Sequence, residues 1–101
     1  MATFKDIIWK THPLGESWAG ILNFKSNHKL SVVAGPTMYC EPKLTLRDPN
    51  QYRLFEVAVI SPDGEFVTSK FLDIEEQVIG WQSIENINGL ISKIIETTKK
   101  D

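Results

Sequence analysis

Apolar residues recur at Ile84, Ile87, Leu90, Ile91, Ile94 and Ile95, the three-and-four spacing of one face of an α-helix. Ser83 is a good N-cap, and Glu85 falls in the first turn, where the helix dipole favours an acid. Lys93, Lys99 and Lys100 lie toward the other end, again with the favourable sign. A helix of this kind is predicted over residues 84–98, and its stripe needs an apolar surface to cover. Upstream the period changes to two, so that surface is a sheet. The expected fold class is α+β: an antiparallel four- to five-stranded β-meander with one C-terminal amphipathic helix packed on one face. Gly89 costs this helix about 1 kcal/mol relative to Ala, and a close approach to the sheet is the expected reason for it.

The strands are read from alternation. In residues 18–24, Trp18, Gly20, Leu22 and Phe24 share one face, and Ala19, Ile21 and Asn23 the other. Ser26-Asn27-His28 supplies a turn, because Asn tolerates positive φ. Residues 29–35 return, with Leu30, Val32 and Ala34 alternating against Ser31 and Val33, which makes a hairpin. Residues 52–60 are the richest in β-formers and are expected at the centre of the sheet, with Phe55, Val57 and Val59 on one face. Ser61-Pro62-Asp63-Gly64 fits a type I turn, and residues 65–71 are expected to pair back as a further strand. Residues 3–10 suit a helical turn or a strand equally well, before His12-Pro13-Leu14-Gly15 breaks the chain. Residues 36–51 form the longest irregular stretch, with a short edge strand expected at 43–47.

The 101 residues suffice for one domain, 1–101, that buries roughly two-thirds of its unfolded surface. Apolar residues at 42% and charged residues at 24% argue against a disordered chain. The formal net charge of −2 argues against a nucleic-acid binder, which carries a marked basic excess. The acids are unevenly placed: Glu56, Asp63, Glu65, Asp73, Glu75, Glu76 and Glu85 are offset between 56 and 85 by Lys70 alone. That stretch is read as a solvated loop and edge, the alternative being a working surface along the acidic 63–76 edge that orients a partner. No stretch approaches the ~20 apolar residues of a membrane span, and the N-terminal residues hold no signal-like apolar run. One cysteine, Cys40, cannot form an internal disulfide. The expected location is cytoplasmic.

Chemistry-bearing constellations are sparse. Nucleophilic catalysis needs a Cys or Ser beside an oriented His. Cys40, His12 and His28 are far apart in sequence, and Cys40 reads as a small buried or loop thiol. Two His and one Cys without ligand spacing do not make a metal site. No Gly-rich phosphate loop occurs. No catalytic residue, metal or cofactor is therefore expected.

The candidate site is a binding surface in the 35–53 loop: Pro36, Met38, Tyr39, Lys43, Arg47 and Arg53. An aromatic ring beside cations can anchor a protein partner or stack a base while holding its phosphate. Trp18 and Trp81 are either core residues or part of that surface.

Ser31-Val32-Val33-Ala34-Gly35-Pro36, then Tyr39, Phe55-Glu56-Val57-Ala58-Val59, Asp63-Gly64 and Val78-Ile79-Gly80-Trp81 together resemble a group of small uncharacterised proteins of tailed bacteriophages. The resemblance runs from about Gly20 onward. It departs after Gly35-Pro36, where Cys40-Glu41-Pro42 and a longer insertion follow. It implies no catalytic residue; it implies a phage accessory role by binding. The leading expectation is a non-enzymatic protein that binds and inhibits a host defence or regulatory protein. The alternatives are a module that sequesters a small nucleotide through Tyr39, Arg47 and Arg53, and an assembly protein that forms a homo-oligomer.

Overall fold

Each period-two segment pairs with its neighbour in sequence. The computed structural model describes residues 2–11 and 15–99. Strands β1 (Ile8–Thr11), β2 (Trp18–Asn23), β3 (Lys29–Ala34), β4 (Phe55–Ile60) and β5 (Ile79–Gln82) form one antiparallel sheet in the order β1-β2-β3-β4-β5. The helix α1 (Ile84–Thr98) follows β5 directly. The α+β meander with a C-terminal helix is therefore the fold, and its sheet is open.

Alternation decides what each strand buries. Leu22, Leu30, Val32, Phe55, Val57 and Val59 point inward and are buried. The α1 stripe of Ile87, Leu90, Ile91, Ile94 and Ile95 packs into the same core. Ser83 caps α1, its side chain accepting from the Asn86 N–H at 3.0 Å. Phe4, Trp9 and Tyr52 surround Phe55, with ring centroids 5.2–6.0 Å from it. The Phe4 N–H donates to Asn88 Oδ1 at 2.7 Å, which ties the start of the chain to the helix.

Several expectations are corrected. Residues 3–10 contain both alternatives, a single 3₁₀ turn at Phe4–Asp6 and then β1. The central strand is β3, and β4 starts at Phe55 rather than at residue 52. Residues 65–71 do not form a strand. They make one bridge, Ile60 to Phe66, and the Val67 N–H donates to Val59 O at 2.8 Å. The ladder stops there because the Thr68 hydroxyl replaces a backbone partner. It accepts from the Val59 N–H at 2.8 Å and donates to Gln77 O at 2.6 Å. The chain then coils into a 3₁₀ turn at Thr68–Lys70, burying Val67 and Phe71. The fifth strand comes instead from Ile79–Gln82. Residues 43–47 are not a strand either. Gly89 is exposed, and a side chain there would meet nothing within 4 Å, so no close approach to the sheet explains it.

The turns follow their chemistry. Asn27 adopts φ 68°, and the Gly64 N–H donates to Ser61 O at 2.9 Å. The Ser61 hydroxyl also bonds the Asp63 carboxylate, which holds that exposed acid below the usual range. Among the described residues no helix is long and apolar enough to cross a membrane.

Candidate functional site

The irregular stretch between β3 and β4 is held from beneath by core residues. Tyr52 is 2% exposed, and its hydroxyl donates to Leu44 O at 2.6 Å while accepting from the Leu46 N–H at 3.1 Å. The Trp18 indole N–H donates to Leu46 O at 2.8 Å, and the Thr45 hydroxyl donates to Glu16 O at 2.9 Å. Side chains thus take the place of the edge strand expected at 43–47. The Cys40 thiol is buried and accepts from the Gly35 N–H at 3.3 Å. It also lies 3.2 Å from Gly35 O and 3.4 Å from Pro42 O, so its one proton serves either carbonyl. Burial pushes the Cys40 thiol and the Tyr52 phenol above their ordinary ranges. The small buried thiol expected of Cys40 is what is observed.

On this base stands an exposed aromatic pair. Tyr39 is 57% exposed and Trp81 49% exposed, with ring centroids 6.1 Å apart. Lys43 Nζ lies 5.4 Å from the Tyr39 ring centroid and 5.7 Å from that of Trp81, within cation–π range of both. Backbone contacts set the spacing: the Trp81 N–H donates to Tyr39 O at 2.9 Å, and the Tyr39 N–H donates to Glu56 Oε1 at 3.1 Å. Gly80 is required there, because any Cβ on it would collide with the Tyr39 side chain.

Trp81 sits in a register shift between β4 and β5, where Phe55 pairs with Gln82 and Val57 with Ile79. Two residues, Gly80 and Trp81, face Glu56 alone, which is a β-bulge. Trp81 carries the extra rotation in the left-handed region, at φ 61°. That conformation costs a bulky residue about 1–2 kcal/mol. Backbone strain of this kind clusters at active sites, ligand clamps and switch regions.

No family model, curated protein or solved structure matches this chain.

Of the six residues singled out in the loop, Tyr39 and Lys43 come together. Arg53 lies near the bridge between Glu41 and Leu54, where its Nε and one terminal nitrogen reach Glu41 Oε1 at 2.8 and 2.7 Å. That pair is exposed and contributes at most about 1 kcal/mol. Arg47 is exposed and enters no ion pair among the described residues. Met38 packs against the core, and Pro36 is half-buried. Trp81 joins the surface, whereas Trp18 packs against the core and anchors the loop. The sequence left Trp81 open between core and surface, and its place beside Tyr39 decides it.

The catalytic options gain nothing from the fold. His28 is half-buried, more covered than its turn position suggested. It meets Phe71 edge-on at 5.5 Å, and its Nδ1 lies 2.9 Å from Ser26 Oγ. It precedes β3 while Cys40 bonds Gly35 at the far end, roughly 20 Å away along six strand residues. His12 lies outside the described residues. Among the described residues no three His, Cys, Asp or Glu side chains gather as a metal cluster.

Proposed function

We propose that this chain is a non-enzymatic binding protein whose working surface is Tyr39, Trp81 and Lys43. The observation that carries the proposal is the strained, half-exposed Trp81 held beside Tyr39 under one lysine. Exposed aromatics on a rigid base are the usual anchors of protein interfaces, because they bury much area while losing little side-chain freedom. The base is rigid here through the bonds of Tyr52, Trp18 and Cys40.

A protein partner suits this surface better than a nucleotide. Of the loop's three cations, Lys43 lies over the rings and Arg53 is engaged by Glu41, which leaves Arg47 as the one uncommitted cation among the described loop residues to meet a phosphate. Glu56 also bonds the backbone of Tyr39, which places negative charge beside the rings. The resemblance to small tailed-phage proteins suggests the kind of partner: a host defence or regulatory protein met in the host cytoplasm. Inhibition by occupation of that partner's surface is then the mode of action.

The test is affinity capture from a bacterial host lysate with wild-type protein and Trp81→Gly. Recovery of one host protein near one-to-one, lost with Trp81→Gly, is the expected result. Equal recovery with both, or catalytic turnover abolished by changing Cys40 or His28, would contradict the proposal.

A further inference from the structure

The cleft between Tyr39 and Trp81 already holds a cation, and we infer that it is a receptor for an alkylammonium group, the lysine side chain of a protein partner, with Lys43 as its resident occupant. The inference rests on the proposed binding surface and names the chemistry that surface takes. Lys43 is exposed, and its backbone is fixed on both sides. Pro42 O lies 3.4 Å from the Cys40 thiol, and Leu44 O accepts from the Tyr52 hydroxyl at 2.6 Å. The side chain has no such hold. No carboxylate pairs with it among the described residues, and its ammonium lies over the two rings.

The geometry suits an ammonium. The two ring centroids and Lys43 Nζ form a nearly equilateral triangle with sides of 6.1, 5.4 and 5.7 Å. Aromatic faces are the negative pole of the ring quadrupole, so both walls attract a cation. The ring planes are inclined at 41°. A planar guanidinium can lie flat on one such ring but not on both, whereas an ammonium has no plane and meets both. Glu56 adds charge of the same sign as the ring faces. Its Oε1 accepts from the Tyr39 N–H at 3.1 Å, and no base pairs with it among the described residues. Charge complementarity therefore selects a cation as the occupant.

Lys43 is a weak occupant. A cation–π contact open to water is weak, and it strengthens once water is excluded. Holding Lys43 over the rings also removes rotamer freedom from its long stem. A partner lysine arrives with a protein surface that covers the cleft, so it makes the stronger contact and releases Lys43 to solvent. Until then Lys43 competes with it, and lowers the apparent affinity according to how often it fills the cleft.

Titration of the full chain with N-acetyl-lysine methylamide, followed by the indole resonance of Trp81, tests this; Trp81→Gly assigns that resonance by its loss. The capped lysine should shift it in wild type. Lys43→Ala empties the cleft and should bind the probe about threefold more tightly. The ε-acetylated probe is neutral and should shift neither chain, and capped arginine should bind more weakly than capped lysine. Glu56→Gln keeps an acceptor for the Tyr39 N–H but removes the charge, and should weaken binding about twofold. Equal shifts from capped lysine and its ε-acetylated form, or binding no tighter in Lys43→Ala than in wild type, would overturn the inference. So would capped glutamate that shifts wild type but not Lys43→Ala, since Lys43 itself would then be the group that meets the partner. Each of these results leaves the binding surface standing if Trp81→Gly still abolishes capture; capture retained by Trp81→Gly would remove the surface and the inference together.

Discussion

Tyr52 and Tyr39 belong to the same irregular stretch and are used in opposite ways. Tyr52 is buried and spends both hydrogen-bonding capacities of its hydroxyl on the backbone of Leu44 and Leu46. Tyr39 is exposed and bonded only through its backbone, its ring turned toward Trp81 and Lys43. One end of the loop is built like a core and the other like an interface. The contrast shows why a long loop without strands can carry a defined surface. Its shape comes from side-chain donors reaching up from the core, and its tip needs no packing of its own.

Mutations at the two ends should separate stability from binding. Tyr52→Ala removes a large buried ring and should cost about 3–5 kcal/mol in chemical denaturation. Tyr52→Phe keeps the ring but strands Leu44 O and the Leu46 N–H, for a loss of about 1–3 kcal/mol. A loss under ~0.5 kcal/mol in Tyr52→Phe would mean that water readily replaces the hydroxyl and the base is looser than described. Gly89→Ala, on the exposed face of α1, serves as a reference away from the loop and should gain about 1 kcal/mol. A loss there would reveal a contact that the open space around Gly89 does not contain. At the tip, Trp81→Gly relieves left-handed strain and gives up a half-exposed ring, so stability should change by no more than about 1 kcal/mol.

The buried end also predicts a pH dependence. Cys40 and Tyr52 have folded pKa values raised by burial above their ordinary 9.0 and 10.0. The folded state therefore holds these protons more tightly than the unfolded chain. Their contribution is fully present below pH 9 and declines as pH rises through the folded values. Urea midpoints measured from pH 7 upward should fall above about pH 9, and Cys40→Ala should flatten the first part of that fall. A midpoint that stays level there would contradict the burial of the thiol.

The sequence made the helix legible because a 15-residue stripe has only one period that fits it. β2 and β3 were equally plain, since Leu22, Leu30 and Val32 alternate without interruption. The two false strands have a common cause: a side chain took a backbone's place. Thr68 satisfies Val59, so residues 65–71 look like a strand in composition yet leave the ladder. Tyr52 satisfies Leu44 and Leu46, so residues 43–47 need no strand partner. Strand β5 was hidden because it is four residues long and broken by a bulge at Gly80-Trp81. Tyr39 and Lys43 were visible as an aromatic near a cation. Their third member is remote in sequence, and only the β4–β5 pairing brings it there.

The most direct measurement is capture of a host protein by wild-type and Trp81→Gly chains whose melting curves are compared in parallel. The proposed function predicts equal melting and loss of capture with Trp81→Gly. Capture that persists undiminished in a stably folded Trp81→Gly chain would show that the aromatic pair is not the working surface.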